Sequence, residues 1–413
     1  MDLNQQISYL LQADEFSDNL APIKQMISAL NLFPTYPIIL IGGTNGTGST
    51  CAYLTTILSI AGYRVGTFTS PHVFHYNERI CINNKPINND NLHLALKQIL
   101  MKCQKNPGLF KAFTLAAHLY FIKQKIDVAI IEVGVGGLND ITNLFEPTLS
   151  AITTIDYDHC KILGNTLEQI GIQKAGIFRP NKPAFIAMKN PPQSVREYAT
   201  KINAYLQILG ADFTYTRHEL GFDVFCKNKK YFSLPYPALR GMEQLANASL
   251  AITILDELKI NFPLSIAAIK TGLLQTQLIG RLTILPGQPQ IILDVAHNLQ
   301  AISSMLKNML KLPFVKHTYA VFGIANDKDI SAIVALAKEY FSQWFIAPIN
   351  SKRSIDNDNL IQIMYENKID KNQITAYETI SIALAKAKSI STIDDRIVCF
   401  GSFLVVEEAY KCK

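Results

Sequence analysis

The chain has 413 residues, 48% of them hydrophobic and 17% charged, which leaves room for about two or three cores and rules out a largely disordered protein. Its 39 basic and 33 acidic side chains give a formal net charge of +6 without any Lys/Arg block, which argues against a nucleic-acid partner. The start MDLNQQ has no cationic segment leading into an apolar run, the apolar stretch 112–122 is too short for a bilayer, and the seven cysteines lack C-x-x-C spacing. The expectation is a cytoplasmic protein with no membrane contact, no disulfide framework and no structural zinc.

Residues 37–41 read as a strand that runs into a Gly-rich turn at 42–48 and a helix at 49–61. A strand at 64–69, helices at 88–102 and 110–124 and strands at 127–133 and 149–155 follow. Continuous apolar strands between helices predict a parallel sheet covered on both faces. Helices are expected at 167–175 and 195–209 around a strand at 184–187, then an antiparallel edge at 213–234 and helices at 242–258 and 265–274. Gly280, Pro286, Gly287 and Pro289 precede a new series: strand 291–294, helix 299–310, strand 319–322, helix 330–341, strands 344–347 and 397–400, helix 403–410. The fold class is α/β, with domains expected at 1–278 and 279–413, the second small and doubly wound.

The run Gly43-Thr44-Asn45-Gly46-Thr47-Gly48-Ser49-Thr50 lies between strand and helix, where backbone N–H groups make an anion site; the alternative is a Gly-rich turn with an N-capping Ser. Ser49 or Thr50 offers a hydroxyl to a magnesium ion. The loop has no Lys to reach the β- and γ-phosphates, and Thr47 offers at most a neutral hydrogen bond. Glu132 ends an apolar strand at the carboxyl edge of the sheet, where a carboxylate must be paired or metal-bound. The following Gly134-Val135-Gly136-Gly137 resembles half a dinucleotide fingerprint but lacks its βαβ unit, and that reading is discounted. His159 reads on periodicity as a packing residue or a ligand. Lys174 reads as a cation near a helix C-terminus capped by Gly176, and Arg281 as a solvated linker residue or a planar cation for phosphate oxygens.

Further motifs stand in order along the chain: Thr69-Ser70-Pro71-His72 with Tyr76-Asn77-Glu78-Arg79; Asp140 with Thr142-Asn143; Asp158-His159; Lys174-Ala175-Gly176-Ile177; Gly280-Arg281; Asp294-Val295-Ala296-His297-Asn298; Asp327-Lys328-Asp329; Gly401-Ser402-Phe403. With the phosphate loop and Glu132–Gly137, they make the chain resemble the folylpolyglutamate synthase family, including its bifunctional dihydrofolate synthase/folylpolyglutamate synthase members, relatives of the Mur ligases. The resemblance implies an N-terminal P-loop-type, Mur-ligase-like ATP-binding domain and a smaller Rossmann-like C-terminal ligase domain. It implies ATP-dependent addition of L-glutamate to dihydropteroate and folates through an acyl phosphate.

The same resemblance assigns Gly46, Thr47, Gly48, Ser49, Asn247, Arg281 and Asp294 to ATP, and His297 to a catalytic place near the phosphates. It assigns Ser49, Ser70, Glu132 and His159 to Mg2+, with Lys174 carbamylated by CO2, catalytic and on the metal, and Asn139, Asp140 and Ile141 to the substrate. The partners it implies are small molecules (dihydropteroate or folate, L-glutamate, ATP), handled by a monomer without nucleic acid. The chain departs from the family pattern at Thr47, at Leu138 where Arg is usual, at Asn139 for Leu, at Lys111 for Glu and at Gln173 for Glu; residues 17–20 match a pterin-site segment only loosely. These departures keep open a degenerate, non-catalytic folate- or nucleotide-binding paralogue, and a Mur-type peptidoglycan amino-acid ligase would share fold and loop.

Overall fold

The apolar runs become the centre of an eight-stranded sheet in the computed structural model, which describes residues 1–13, 20–227 and 229–412. Its strands are β1 (Ile38–Gly42), β2 (Val65–Phe68), β3 (Ile80–Ile82), β4 (Lys85–Pro86), β5 (Val128–Glu132), β6 (Leu149–Ile152), β7 (Pro183–Ile186) and β8 (Tyr205–Ile208), in the order β4-β3-β2-β5-β1-β6-β7-β8. From β2 to β8 the pairing is parallel, and every residue of β1, β2, β5 and β6 is buried, because helices lie on both faces. The chain leaves β1 toward β2 and leaves β6 toward β7, so the strand order reverses at the carboxyl ends of β1 and β6, the place where open α/β sheets bind ligands.

The expected helix at 195–209 is corrected. The helix is Gln193–Lys201, and the chain then turns through Asn203 at φ 56° into edge strand β8. Val195, Tyr198, Ala199, Ile202, Leu206 and Leu209 keep a helical spacing across that break, which is why periodicity reads straight through it. Residues 213–234 also differ from expectation. They form a separate antiparallel sheet of β9 (Thr214–His218), β10 (Gly221–Phe225) and β11 (Lys230–Leu234), in the order β11-β10-β9. Residues 17–19 of the loosely matched pterin segment lie outside the described residues. His118, inside the helix Leu109–Gln124, is fully buried and stacks 3.6 Å from the Phe145 ring, with Nδ1 3.0 Å from the Tyr36 hydroxyl; burial pushes its pKa down to about 3. No helix among the described residues is long and apolar enough to cross a membrane.

Contacts divide the chain into two units, residues 1–238 with 245–276, and residues 239–244 with 277–413. In the second, β12 (Thr283–Leu285), β13 (Gln290–Leu293), β14 (Thr318–Phe322), β15 (Gln343–Ile346), β16 (Ile374–Ala376) and β17 (Arg396–Phe400) form one sheet in the order β12-β13-β17-β14-β15-β16. It is parallel except for the β12–β13 hairpin. Buried Trp344 meets Phe322, Phe341 and Phe400 in its core. The expected helix 330–341 stops at Ala337 and tightens into a 3₁₀ turn, Lys338–Tyr340. The segment 239–244 is fastened inside this unit: Glu243 Oε2 accepts from Ser304 Oγ (2.7 Å) and Asn308 Nδ2 (2.9 Å), and Met242 N–H donates to Asn308 Oδ1 (3.1 Å).

Candidate active site

The loop after β1 is shaped by two glycines with no room for a side chain. Gly46 has φ 91° and a Cβ there would lie 2.4 Å from Asn247 Oδ1; at Gly43, φ 152°, it would lie 1.9 Å from Thr153 Oγ1. Uncharged hydrogen bonds staple the loop to the segment after β6. Thr44 N–H donates to Thr154 O (2.7 Å), Asn45 N–H to Thr154 Oγ1 (3.1 Å), Thr153 Oγ1 to Asn45 O (2.6 Å) and Asp156 N–H to Thr44 Oγ1 (3.0 Å). The helix Thr47–Ile60 starts there, its first-turn N–H groups aimed at the loop opening and Thr47 and Gly48 half-buried on that turn. Ser49 is 1% exposed, and its Oγ has no hydrogen-bond partner among the described residues. An orphaned buried hydroxyl on the first turn of such a helix is a donor fitted to a hard cation.

Glu132 closes β5, paired in register with Ile41 and 5% exposed, and its Oε2 accepts the Ser70 N–H (2.8 Å). Two of the expected metal residues therefore meet. His159 sits at φ 51°, its N–H on Asp158 Oδ1 (2.8 Å) and its Nε2 4.0 Å from the same oxygen. Lys174, near the end of the helix Leu167–Ala175, is 4% exposed and donates from Nζ to Gly43 O (2.8 Å), so it stands at the phosphate loop. Burial lowers its pKa to about 8, against the pull of Asp158. Gly176 follows at φ −57°, which any residue could adopt. Its need for glycine is the close approach of Leu138, whose Cα lies 2.6 Å from where a Cβ on Gly176 would be, and not a left-handed cap. Among the described residues no three His, Cys, Asp or Glu side chains converge as a metal cage. Ser49, Ser70 and Glu132 offer oxygen donors of the kind a hard divalent ion takes, and the contact shown among the expected metal residues joins Ser70 to Glu132.

The glycines after β5 serve packing. A Cβ at Gly134 would lie 2.5 Å from the Phe110 ring, and one at Gly137 3.0 Å from the carbonyls of Gln173 and Lys174. A 3₁₀ turn, Ile141–Leu144, follows instead of a helix, so the dinucleotide reading stays discounted. Asp140 braces this loop, accepting from Gly134, Val135 and Thr142 N–H and from Thr142 Oγ1 (3.1, 3.1, 2.9 and 2.6 Å); burial still raises its pKa. Ile141 is a core residue, and of the expected substrate residues only Asn139 is exposed. Nearby motif residues also come together: Arg79, buried, donates from Nε to His72 Nδ1 (3.0 Å), and burial together with Arg79 pushes His72 down to about 4. Sequence reasoning quotes Asp158 only within the Asp158-His159 motif and gives it no role, and it does not single out Thr153 and Thr154, whose only signal is a position just after an apolar strand.

In the second unit three separated motifs converge at the carboxyl ends of β13 and β17. Asp294 follows β13 and accepts from Leu282 N–H (2.8 Å) and Ala296 N–H (2.9 Å). Burial raises its pKa to about 6, with Arg281 opposing. The Arg281 guanidinium lies 5.5 Å over the Phe403 ring, and its Nη1 donates to Gly280 O (3.2 Å). His297 donates from Nδ1 to Val295 O (2.8 Å), which fixes its tautomer, and Gly401 N–H donates to Ala296 O (3.0 Å). Asn298 and Ser402 cap the helices Leu299–Met309 and Phe403–Lys411, so two helix N-termini open beside these side chains. Asn247 belongs instead to the first unit, beside Gly46.

A family model for the Mur ligase middle domain matches residues 41–255, and one for the Mur ligase glutamate ligase domain matches residues 280–403. Two Mur ligase domains in tandem thus account for most of the chain. The dihydrofolate synthase/folylpolyglutamate synthase of Buchnera aphidicola subsp. Schizaphis graminum is 33% identical over 378 residues, covering 90% of this chain and 87% of its own. E. coli FolC, solved in complex with DHPP and ADP, matches with a TM-score of 0.92 at 29% identity over 100% of this chain and 97% of that one. A bifunctional folylpolyglutamate synthase/dihydrofolate synthase solved with Mn, AMPPNP and L-glutamate matches with a TM-score of 0.89 at 31% identity over 100% and 98%. The chain belongs to the dihydrofolate synthase/folylpolyglutamate synthase family.

Proposed function

We propose that this chain is an ATP-dependent carboxylate–amine ligase that adds L-glutamate to dihydropteroate and to folates. The observation that carries this reading is the match, over nearly the full length of both chains, to relatives named for both activities, one solved with DHPP and ADP and another with L-glutamate. The substrate carboxylate attacks the γ-phosphorus of ATP, ADP leaves, and an acyl phosphate forms. The glutamate amine then attacks the acyl carbon, phosphate leaves, and one proton is released.

In this reading Gly46, Thr47, Gly48 and Ser49 hold the phosphates through N–H and hydroxyl groups, and Asn247 lies against the loop. Arg281 offers the nucleotide a planar cation, stacked on Phe403 and so kept from collapsing onto the surface. Asp294 fixes the turn that carries Arg281, and His297 stands beside it with its Nδ1 on Val295 O. Mg2+ would be held by Ser49, Ser70, Glu132 and His159, and would supply charge compensation for the transferred phosphoryl group. Lys174 reaches the loop at the Gly43 carbonyl as an amine whose lowered pKa favours the neutral form, which attacks the carbon of CO2 to give a carbamate and a proton. Around the substrate, Asn139 offers its side chain, while Asp140 and Ile141 shape the loop from within. Residues 1–278 then form the ATP-binding domain and 279–413 the ligase domain, working as a cytoplasmic monomer on small molecules.

The second reading, a binding paralogue without turnover, is motivated by Thr47 and Leu138. One assay separates the two: single turnover with dihydropteroate, L-glutamate and Mg-ATP, followed by phosphate release and product mass. Stoichiometric phosphate with the glutamylated product is expected. Ligand binding without either product would replace the ligase by the paralogue.

A further inference from the structure

The ligase reading needs the acceptor and the phosphate loop held at a fixed separation. Asn139, the exposed residue of the substrate segment, and Lys174, which bonds Gly43 of the phosphate loop, stand on segments far apart in sequence, both in the first unit. The last turn of a helix leaves carbonyls without helical partners, and on the helix Leu167–Ala175 the substrate segment takes one of them: Leu138 N–H donates to Gln173 O (2.8 Å). The residue before Asn139 is thus bonded to the residue before Lys174. The two backbones touch there, since a Cβ on Gly137 would lie 3.0 Å from the Gln173 and Lys174 carbonyls and one on Gly176 2.6 Å from Leu138 Cα.

Two side chains close this contact. Asn143 donates from Nδ2 to Leu138 O (3.2 Å) and to Gly176 O (3.0 Å), one carbonyl from each segment, and its buried Oδ1 has no partner among the described residues. Arg179 donates from Nη2 to Asn143 O (2.8 Å), from Nη1 to Ile177 O and Phe178 O (3.2 Å each) and from Nε to Glu146 Oε2 (2.9 Å). Its guanidinium therefore joins the chain just past Lys174 to the 3₁₀ turn Ile141–Leu144 that follows Asn139 and Asp140. A buried amide oxygen without a donor destabilises a fold, so net stability is a poor account of Asn143; what its Nδ2 supplies is the joint between the segments.

We propose that Asn143 and Arg179 are positioning residues that make the substrate segment and the end of the Lys174 helix a single block, so that an acceptor seated at Asn139 fixes Lys174 at the phosphate loop; this rests on the ligase reading above. Both act through their neighbours, Asn139 on one side and Lys174 on the other. The test is hydrogen exchange of the full chain loaded with Mg-AMPPNP, with and without dihydropteroate, read by mass in peptides covering 134–144 and 167–179. In wild type, dihydropteroate should slow exchange about fivefold or more in both. In Asn143→Ala and Arg179→Ala, at saturating dihydropteroate, the slowing should persist in 134–144 and vanish in 167–179, and Arg179→Lys should recover part of it. Asn143→Ala carries the test if the Arg179 variants do not fold. A purely structural role would speed exchange with and without dihydropteroate alike and leave the ligand-linked slowing of 167–179 in place, and that result overturns the proposal. So does slowing in wild type confined to 134–144. Asn143→Ala is also expected to lower kcat about tenfold with KM for ATP within about twofold of wild type, and an unchanged kcat counts against the block. Wild type that neither binds dihydropteroate nor forms product defeats the ligase reading and this proposal together, whereas wild type that forms product without slowing of 167–179 defeats this proposal alone.

Discussion

The two units carry their candidate site groups in opposite materials. The loop of the first is held by glycines, hydroxyls and carbonyls, and of its ionisable neighbours Glu132 and Lys174 are buried, Asp158 is half-buried, and all three are already engaged. The cluster of the second is built from charged and titratable side chains, Arg281, Asp294 and His297, with an aromatic ring under the cation. Neutral groups fix geometry without a large desolvation cost, while charges supply the binding field. With Thr47 in the place of a Lys, the loop adds no side-chain cation to its geometry, while the second unit's cluster carries Arg281.

The comparison breaks first at Glu132. As the carboxylate of the neutral loop's metal site, Glu132→Gln should lower kcat by on the order of 10²-fold or more while leaving the melting temperature near wild type, as read by phosphate release and thermal unfolding. Activity within a few fold of wild type would remove the metal assignment. Next comes Arg281→Ala, expected to lower kcat/KM for ATP by about 10- to 100-fold, with Arg281→Lys recovering only part because an ammonium lacks the planar fork. A change under about twofold would mean that the charge resides elsewhere.

A smaller effect is expected when CO2 is withdrawn. Turnover should fall several-fold in CO2-free buffer and return with bicarbonate, and Lys174→Ala should respond to short carboxylates. Because only the neutral amine reacts and its pKa lies at about 8, carbamate signal from labelled bicarbonate should grow as pH rises through 8 at fixed dissolved CO2. An unmodified Lys174 by mass under these conditions contradicts the assignment. The smallest change is Thr47→Lys, which should tighten ATP by only a few fold if Arg281 already provides the charge, since a charge-assisted hydrogen bond is about twice as strong as a neutral one. A gain on the scale of the Arg281→Ala loss would reverse the division of labour drawn above.

How far the sequence reveals this molecule depends on the range over which each contact acts. Strands β1, β5 and β17 are legible because unbroken apolar runs between turn residues have one physical solution, a strand covered on both faces. The break at Asn203 is hidden by side chains that keep helical spacing on either side of it. The loop and Glu132 are legible through local chemistry, a glycine-rich turn at a strand end and a carboxylate in an apolar run. The contact of Lys174 with Gly43 joins residues 131 apart, and no local pattern encodes it. Asp140 shows the limit most clearly: the resemblance assigns it to the substrate, and only the fold reveals that its oxygens are committed to four neighbouring donors.

The segment 239–244 has a consequence for dissecting the chain. It belongs with residues 277–413 although 245–276, which follow it, belong with residues 1–238, so the backbone passes from one unit to the other three times. No single cut yields two intact pieces. A fragment beginning at residue 277 loses Glu243, and with it the carboxylate that Ser304 and Asn308 hold on the helix Leu299–Met309, leaving a buried amide without its acceptor. Separate expression of the ligase half should therefore restore the 239–244 segment by circular permutation or by a short linker, with the two halves treated as interleaved modules.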